Sequence, residues 1–390
     1  MEARSVHSFP QLLSRVRVLD FTRVLAGPYL TRCLAALGAE VIKVERPVSG
    51  DDARGFAYHT QGESGYFLQQ NHDKKSIALD LKHPKGAAIA RELCARADVV
   101  VENFRPGVMT RLGLDYATLS ARHPRLIMCS ISTFGQTGPY AQKGGQGMLA
   151  DALSGAMDIT GFPDRPPPVF RLPVADILTG VHGLGAICAA LYAREQTGRG
   201  AYIDLSLLDC MFALQEFAVQ SYFLSQGTVK ATREGYTFPE TVPYGLFSAR
   251  DGAVVLAAGL DANWARLAQA MGRPELAQDP RFATSPQRIH HRREVESLVQ
   301  EWIGQQTVKE VTATLDAHGV PCAPVKTVEE AIHDPQIQAR HMLVTMTHPL
   351  LRAVTFPNLP FKIDGAVPTP SALAPRIGQH NAEVLSHLLG

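Results

Sequence analysis

Short apolar, β-branched runs alternate with amphipathic stretches from Arg17 to about Gly200. The runs Val16 to Phe21, Glu40 to Glu45, Ser76 to Leu79, Asp98 to Glu102 and Leu126 to Ser132 predict strands. Between the first two lies GPYLTRCLAALGAE, with Pro28 placed for a first helical turn and Gly38 for the helix end. HPKGAAIARELCARA fills the same role between the third and fourth. Strand followed by helix in this order predicts an α/β fold with a Rossmann-like parallel sheet, whose ligands sit beyond the carboxyl ends of the strands. The dinucleotide fingerprint is missing, because the first strand runs into LAGPY (Leu25 to Tyr29) and not into GxGxxG. An NAD site is therefore not expected.

After a strand-like Ala201 to Leu207, the pattern from Leu208 to about Phe238 loses its period and reads as a connector. A second, smaller α+β unit follows. Val242 to Gly259 predicts a hairpin turned at Arg250, Asp251 and Gly252. Val295, Leu298, Val299, Trp302 and Ile303 form a one-sided helical stripe. Thr307 with Glu310, and Thr327 with Glu330, have capping-box spacing.

Composition narrows the function classes. The 390 residues carry 38 Lys and Arg against 37 Asp and Glu, so no global positive field exists to hold a nucleic acid. The longest apolar runs, such as Ala186 to Ala193, fall well short of the ~20 residues a membrane span needs, so no span is expected. The N-terminus shows no hydrophobic signal core, which predicts a cytoplasmic protein. Six dispersed cysteines, none at CxxC spacing, read as small buried hydrophobes in a reducing compartment. No His, Cys or carboxylate cluster has ligand spacing, so no metal is expected; His290 and His291 read as a wet helix entry.

Chemistry concentrates in FPDRPPPVFRLPVADILTGVHGLGAICAALYAREQTGRG. Its proline-restrained loop delivers Asp176 to the start of a helix expected over about Ile177 to Glu195. The carboxylate reads as an N-cap, as a nucleophile kept ionised by the helix terminus, or as both. A second constellation is basic. Arg46, Lys82, Arg105, Arg111 and Lys143 all fall at or just past carboxyl ends of predicted strands, where together they would hold an anion such as a phosphorylated nucleotide. The loop Gly135 to Gly147 is too glycine-rich for packing alone and lacks the GxxxxGK[ST] of a P-loop.

Ten blocks in order give the chain a resemblance to the class III CoA-transferases, the family of formyl-CoA transferase and the carnitine CoA-transferases. They are LDFTRVLAGPY, LGAEVIKVERP, NHDKKSIALDLKHPKG, VENFRPGVMTRLGLDY, GQTGPYAQ, ALSGAMDITG, ADILTGVHG, QTGRGAYIDLSLLD, VPYGLF and HGVPCAPV. The resemblance implies that Asp176 becomes acylated. It implies that coenzyme A is held by Leu25, Ala26, Arg46, Leu79, Lys82, Asn103, Phe104, Arg111 and Lys143, with Arg105 added by its position among the basic residues. It implies an interlocked homodimer of ring-like chains and a large domain completed by the C-terminal segment. The expected boundaries are 1–207 for the first part of the large domain, 208–238 for the connector, 239–326 for the small domain and 327–390 for the returning segment. The expected substrates are an acyl-CoA and a free, small and possibly dicarboxylic acid, with no permanently bound cofactor.

The same superfamily includes 2-methylacyl-CoA racemases, which need a base on each side of the α-carbon. Where that branch has a His–Asp dipeptide, this chain has Gln146 and Gly147, and an amide cannot take up the proton. Gln146 is instead a candidate to hydrogen-bond the acceptor carboxylate. A catalytically silent acyl-CoA-binding protein is the alternative from another class, and the presence of Asp176 speaks against it.

Overall fold

The computed structural model describes residues 8–56 and 58–390. They form two compact units. The first comprises the described residues up to Ala156 together with Val169–Phe217 and Pro335–Gly390; the second comprises Met157–Pro168 and Ala218–Asp334.

The first unit is built on a six-stranded, wholly parallel sheet. Its strands are β1 (Arg17–Asp20), β2 (Glu40–Glu45), β3 (Lys75–Ala78), β4 (Val99–Glu102), β5 (Ile127–Ser132) and β6 (Tyr202–Ser206), in the order β3-β2-β1-β4-β5-β6. Helices cover both faces of such a sheet, which is why Val18, Leu19, Val41, Ile42 and Val99 to Val101 read as unbroken apolar runs and are all buried. The strand order reverses between β1 and β4, and the chain ends leaving those two strands part to opposite sides, opening a crevice at their carboxyl ends.

Four helices matter for the site: α1 (Ala26–Ala36), α2 (Gly65–Asn71), α3 (Gly147–Leu153) and α4 (Val174–Thr197). Helix α4 buries Thr179, Gly180, Gly183, Ile187 and Leu191, a stripe at helical spacing. Two of its glycines face α1 and the sheet. A Cβ on Gly183 would stand 2.8 Å from a Leu30 methyl and 3.1 Å from one of Leu205. By length and composition α4 is also apolar enough to cross a membrane, which a count of uninterrupted apolar residues does not reveal. Its buried stripe instead marks it as a core helix of the sheet.

The C-terminal helix, Asn381–Leu389, returns to the edge of β3. His380 Nδ1 accepts the Ser76 N–H and Asn381 Oδ1 accepts the Ala78 N–H, so side chains satisfy the donors an edge strand would otherwise expose.

The second unit holds a three-stranded antiparallel sheet, Cys322–Pro324 beside Gly252–Ala257 beside Tyr244–Ala249. Val295, Val299 and Ile303 of the predicted stripe lie fully in its core, and both capping boxes form. The fully buried Arg288 is sustained by the carbonyls of Val242, Gly259 and Phe282 and by Asp261. The stretch 208–238, expected as a connector, carries two helices, Leu207–Ala213 and Glu216–Leu224. The second is apolar on all sides and has no buried residue, so it shows no amphipathic period to read.

Candidate active site

Asp176 lies in the first turn of α4. That helix begins at Val174, three residues before the expected start, and its cap is Pro173, which makes no side-chain cap bond. The capping role foreseen for Asp176 is thus corrected: the residue is inside the helix, and its carboxylate is released for other partners. It accepts the backbone N–H of Ala26, the first residue of α1. Two helix N-termini therefore converge on one half-buried carboxylate.

Burial, and then the nearby carboxylate of Asp151, raise the Asp176 pKa to about 6, while the Ala26 N–H partly offsets them. At neutral pH the group is mostly ionised, yet more basic than an ordinary aspartate. The Tyr66 phenol of α2 is raised in turn, first by burial and then by the charge of Asp176.

Gly147 opens α3 against this carboxylate. A Cβ there would stand 2.2 Å from Asp176 Oδ2, so only glycine leaves the oxygen its place. Gln146 precedes it as the cap of α3, exposed, with no side-chain cap bond. At Gly144 a Cβ would meet Arg105 Nη2 at 2.7 Å. The glycines of this loop thus make room for a carboxylate and a guanidinium.

A cavity of about 850 Å³ opens at the carboxyl ends of β1 to β4. Six of the expected binding residues line it: Arg46, Leu79, Lys82, Phe104, Arg105 and Arg111. The four cations among them are exposed, and among the described residues only Arg46 has an acidic partner, Asp52, in a solvent-facing pair that contributes little. Of the acids in the same wall, Glu45 is paired with Arg54 and Asp51 with Lys43, while Asp80 is exposed and accepts the Lys82 N–H, leaving cations in excess. The mouth is therefore suited to a polyanion. Phe104 is set by Glu102, which accepts its N–H and whose own pKa burial lifts to about 7.

The other expected residues stand elsewhere. Leu25 and Ala26 are buried at the start of α1, offering backbone and not side chain. The Asn103 amide is spent on the chain, donating to the Arg23 carbonyl and accepting the Arg23 N–H. Lys143 lies over the Tyr140 ring, 3.8 Å from its centroid.

One short loop joins cavity and carboxylate. Thr22 and Arg23 line the cavity, and Ala26, three residues on and so within roughly 11 Å, donates to Asp176. Midway, Val24 adopts φ 68°, a left-handed conformation costly for a β-branched residue. Asp51 holds it there, accepting the Val24 N–H at 3.0 Å. Asp51 is fixed by a fully buried ion pair with Lys43 at 2.8 Å, and Lys43 also donates to the Thr22 carbonyl. Tyr66, Asp151 and this buried pair are not among the residues expected from the sequence; the local signal that points to Asp151 is its place as a lone acid in the otherwise apolar GMLADAL.

The sequence model of CoA-transferase family III matches residues 13–381. A succinyl-CoA–D-citramalate CoA-transferase of Chloroflexus aurantiacus is 37% identical over 98% of this chain and 95% of its own length. A human succinyl-CoA:glutarate CoA-transferase is 35% identical over 97% of this chain and 86% of its own. Among solved structures, a CAIB/BAIF family protein from Brucella suis superposes with TM-score 0.83 at 36% identity, covering 98% of this chain and 100% of that one.

Proposed function

The chain belongs to CoA-transferase family III and transfers coenzyme A from an acyl-CoA to a free acid, and we propose that Asp176 is the residue through which the acyl group and the thiol pass. The observation that carries this reading is the Asp176 carboxylate itself, set at two helix N-termini with no capping duty and raised in basicity by burial.

The proposed path balances without a proton or an electron. An Asp176 oxygen attacks the thioester carbonyl, a C–O bond forms, the C–S bond breaks, and the CoA thiolate leaves with the electron pair. The thiolate attacks Cγ of the resulting anhydride, giving an aspartyl thioester and releasing the donor acid. The acceptor carboxylate attacks that Cγ and expels the thiolate again. Attack of the thiolate on the acceptor carbonyl of the second anhydride yields the new acyl-CoA and frees Asp176. The Ala26 N–H is placed to stabilise oxyanion character at Cγ.

The cations Lys82, Arg105 and Arg111 would take the phosphates of the nucleotide, with Arg46 drawn from Asp52. The named substrates of the relatives favour a small dicarboxylic acid as acceptor and succinyl-CoA as donor. A homodimer is supported by the far side of α4, where Val181 and Tyr192 stand exposed on a helix otherwise apolar enough for a hydrophobic interior. Six unpaired thiols suit a cytoplasmic setting.

The test is to incubate the protein with succinyl-CoA, trap with hydroxylamine or borohydride, and map the adduct by mass spectrometry. An adduct on Asp176, and loss of transfer in Asp176→Ala, are expected. Modification at another residue, or full exchange by Asp176→Ala, would refute the assignment.

A further inference from the structure

We propose that Asp151 is a positioning residue for the transfer reaction: a second, buried carboxylate that holds the turn bearing Asp176 and drives the free nucleophile toward its acylated state. This inference rests on the reading of Asp176 as the acylated residue.

The geometry begins on α3, where Gly147 and Asp151 are four residues apart and so share one face. Both meet the first turn of α4. Gly147 abuts the Asp176 carboxylate, and Asp151 accepts the N–H of Ala175, the residue immediately before Asp176. Asp151 is only 5% exposed, and its Oδ1 has no hydrogen-bond partner. A buried carboxylate left half satisfied is expensive, and a structural tie to one N–H would be served as well by a neutral amide.

Each carboxylate is relieved by a backbone N–H, that of Ala26 for Asp176 and that of Ala175 for Asp151. Burial and Asp151 are what raise Asp176, and burial is what raises Asp151; among the described residues no cation acts on either. Nearby, Tyr66 of α2 is raised first by burial and then by the Asp176 charge, and Tyr29 of α1 is paired with Cys33. Asp209, on the helix packed against α3 and α4, is exposed to water.

Two carboxylates without a counter-ion repel each other only while both are charged. When an Asp176 oxygen bonds to the acyl carbon and the thiolate departs, the charge leaves Asp176 and the repulsion ends. Asp151 neither gains nor loses a bond. Its charge raises the free nucleophile in energy relative to the anhydride and the aspartyl thioester, which favours loading.

The test compares native protein with Asp151→Asn, which keeps an acceptor for the Ala175 N–H and removes the charge, and with Asp151→Ala, which removes both. Each is assayed for kcat/KM against pH and for the fraction trapped on Asp176 after mixing with succinyl-CoA. In both variants the acid limb should move down by about half a pH unit or more, and the trapped fraction should fall about threefold or more. The limb should stay above the ordinary carboxylate range, because burial, the larger cause, is unchanged. Only Asp151→Ala should also lower kcat. If neither variant folds, a carbon-13 titration of the native carboxyl groups should show Asp151 and Asp176 titrating as a coupled pair. An unmoved acid limb, or independent titration, would overturn the role of Asp151 while leaving the nucleophile intact. Absence of any Asp176 adduct in the native protein would instead overturn the reading beneath it.

Discussion

Replacing Gly147 by alanine separates catalysis from folding. The new Cβ would lie 2.2 Å from Asp176 Oδ2, and real contacts of this kind do not fall below 3.0 Å, so the carboxylate must retreat by close to an ångström. Its simplest retreat is to rotate away, which gives up the Ala26 N–H. A hydrogen bond to a charged group is worth about 1.5–3 kcal/mol, equivalent to roughly 10- to 150-fold in rate. Misplacing a reacting group by ~1 Å costs about 100-fold by a separate argument, so both routes lead to a loss near two orders of magnitude. Folding should survive. Gly147 does not have a positive φ, it occupies the first helical position, and alanine is a better helix former by up to about 1 kcal/mol. The assay is kcat and KM for succinyl-CoA with a small diacid, alongside a thermal melt. The expected result is a kcat down about 100-fold, an acyl-CoA KM changed little because the cavity cations are untouched, and a native-like Tm. A folded Gly147→Ala protein with more than half of native turnover would refute the placement of Asp176 as the attacking group.

Other consequences follow from the same geometry. If Asp176 is the nucleophile proposed above, the acid limb of kcat/KM should have its midpoint near pH 6, because the carboxylate must be ionised to attack and is protonated as pH falls through that value; a limb near pH 4, the ordinary carboxylate value, would contradict the burial of this group. The sign for stability is opposite to that of a salt-bridged acid: the folded form binds this proton more tightly than the unfolded chain, so its contribution should decline as pH rises from about 4 to about 6, visible in denaturant midpoints of native protein against Asp176→Asn. Arg111→Ala should raise KM for the acyl-CoA about tenfold with little change in kcat, and the effect should shrink in high salt; a kcat effect without a KM effect would place Arg111 outside the nucleotide site. Lys43→Met should cost roughly 3–5 kcal/mol in denaturant unfolding, since it strands the buried Asp51 carboxylate; a loss under 1 kcal/mol would mean that water reaches the pair.

The sheet was legible in the sequence because its central strands are buried on both faces and bounded by turn residues. The run at Glu40 to Glu45 matches its strand residue for residue, and the others differ by one position at one or both ends. Four of the five cations expected past the strand ends, Arg46, Lys82, Arg105 and Arg111, line one cavity because a parallel sheet sends all its carboxyl ends to one side, whereas Lys143 lies over the Tyr140 ring. What stayed hidden depends on contacts between distant segments. Nothing local says that Gly147 and Asp151 face Asp176, or that the Asn103 amide is consumed by Arg23 eighty residues away. The start of α4 was misjudged because Asp is a favoured cap, whereas the helix here begins from a proline with no cap bond at all. The helices Leu207–Ala213 and Glu216–Leu224 escaped because the apolar residues of the second surround it on every side.

The donor that meets Asp176 is a peptide N–H, not a side chain. Almost any mutation at position 26 therefore leaves it in place, and proline is the one coded residue that would remove it. The donor is thus insensitive to side-chain identity at its own position, and what can dislodge the carboxylate from it is bulk arriving from across the gap, at position 147.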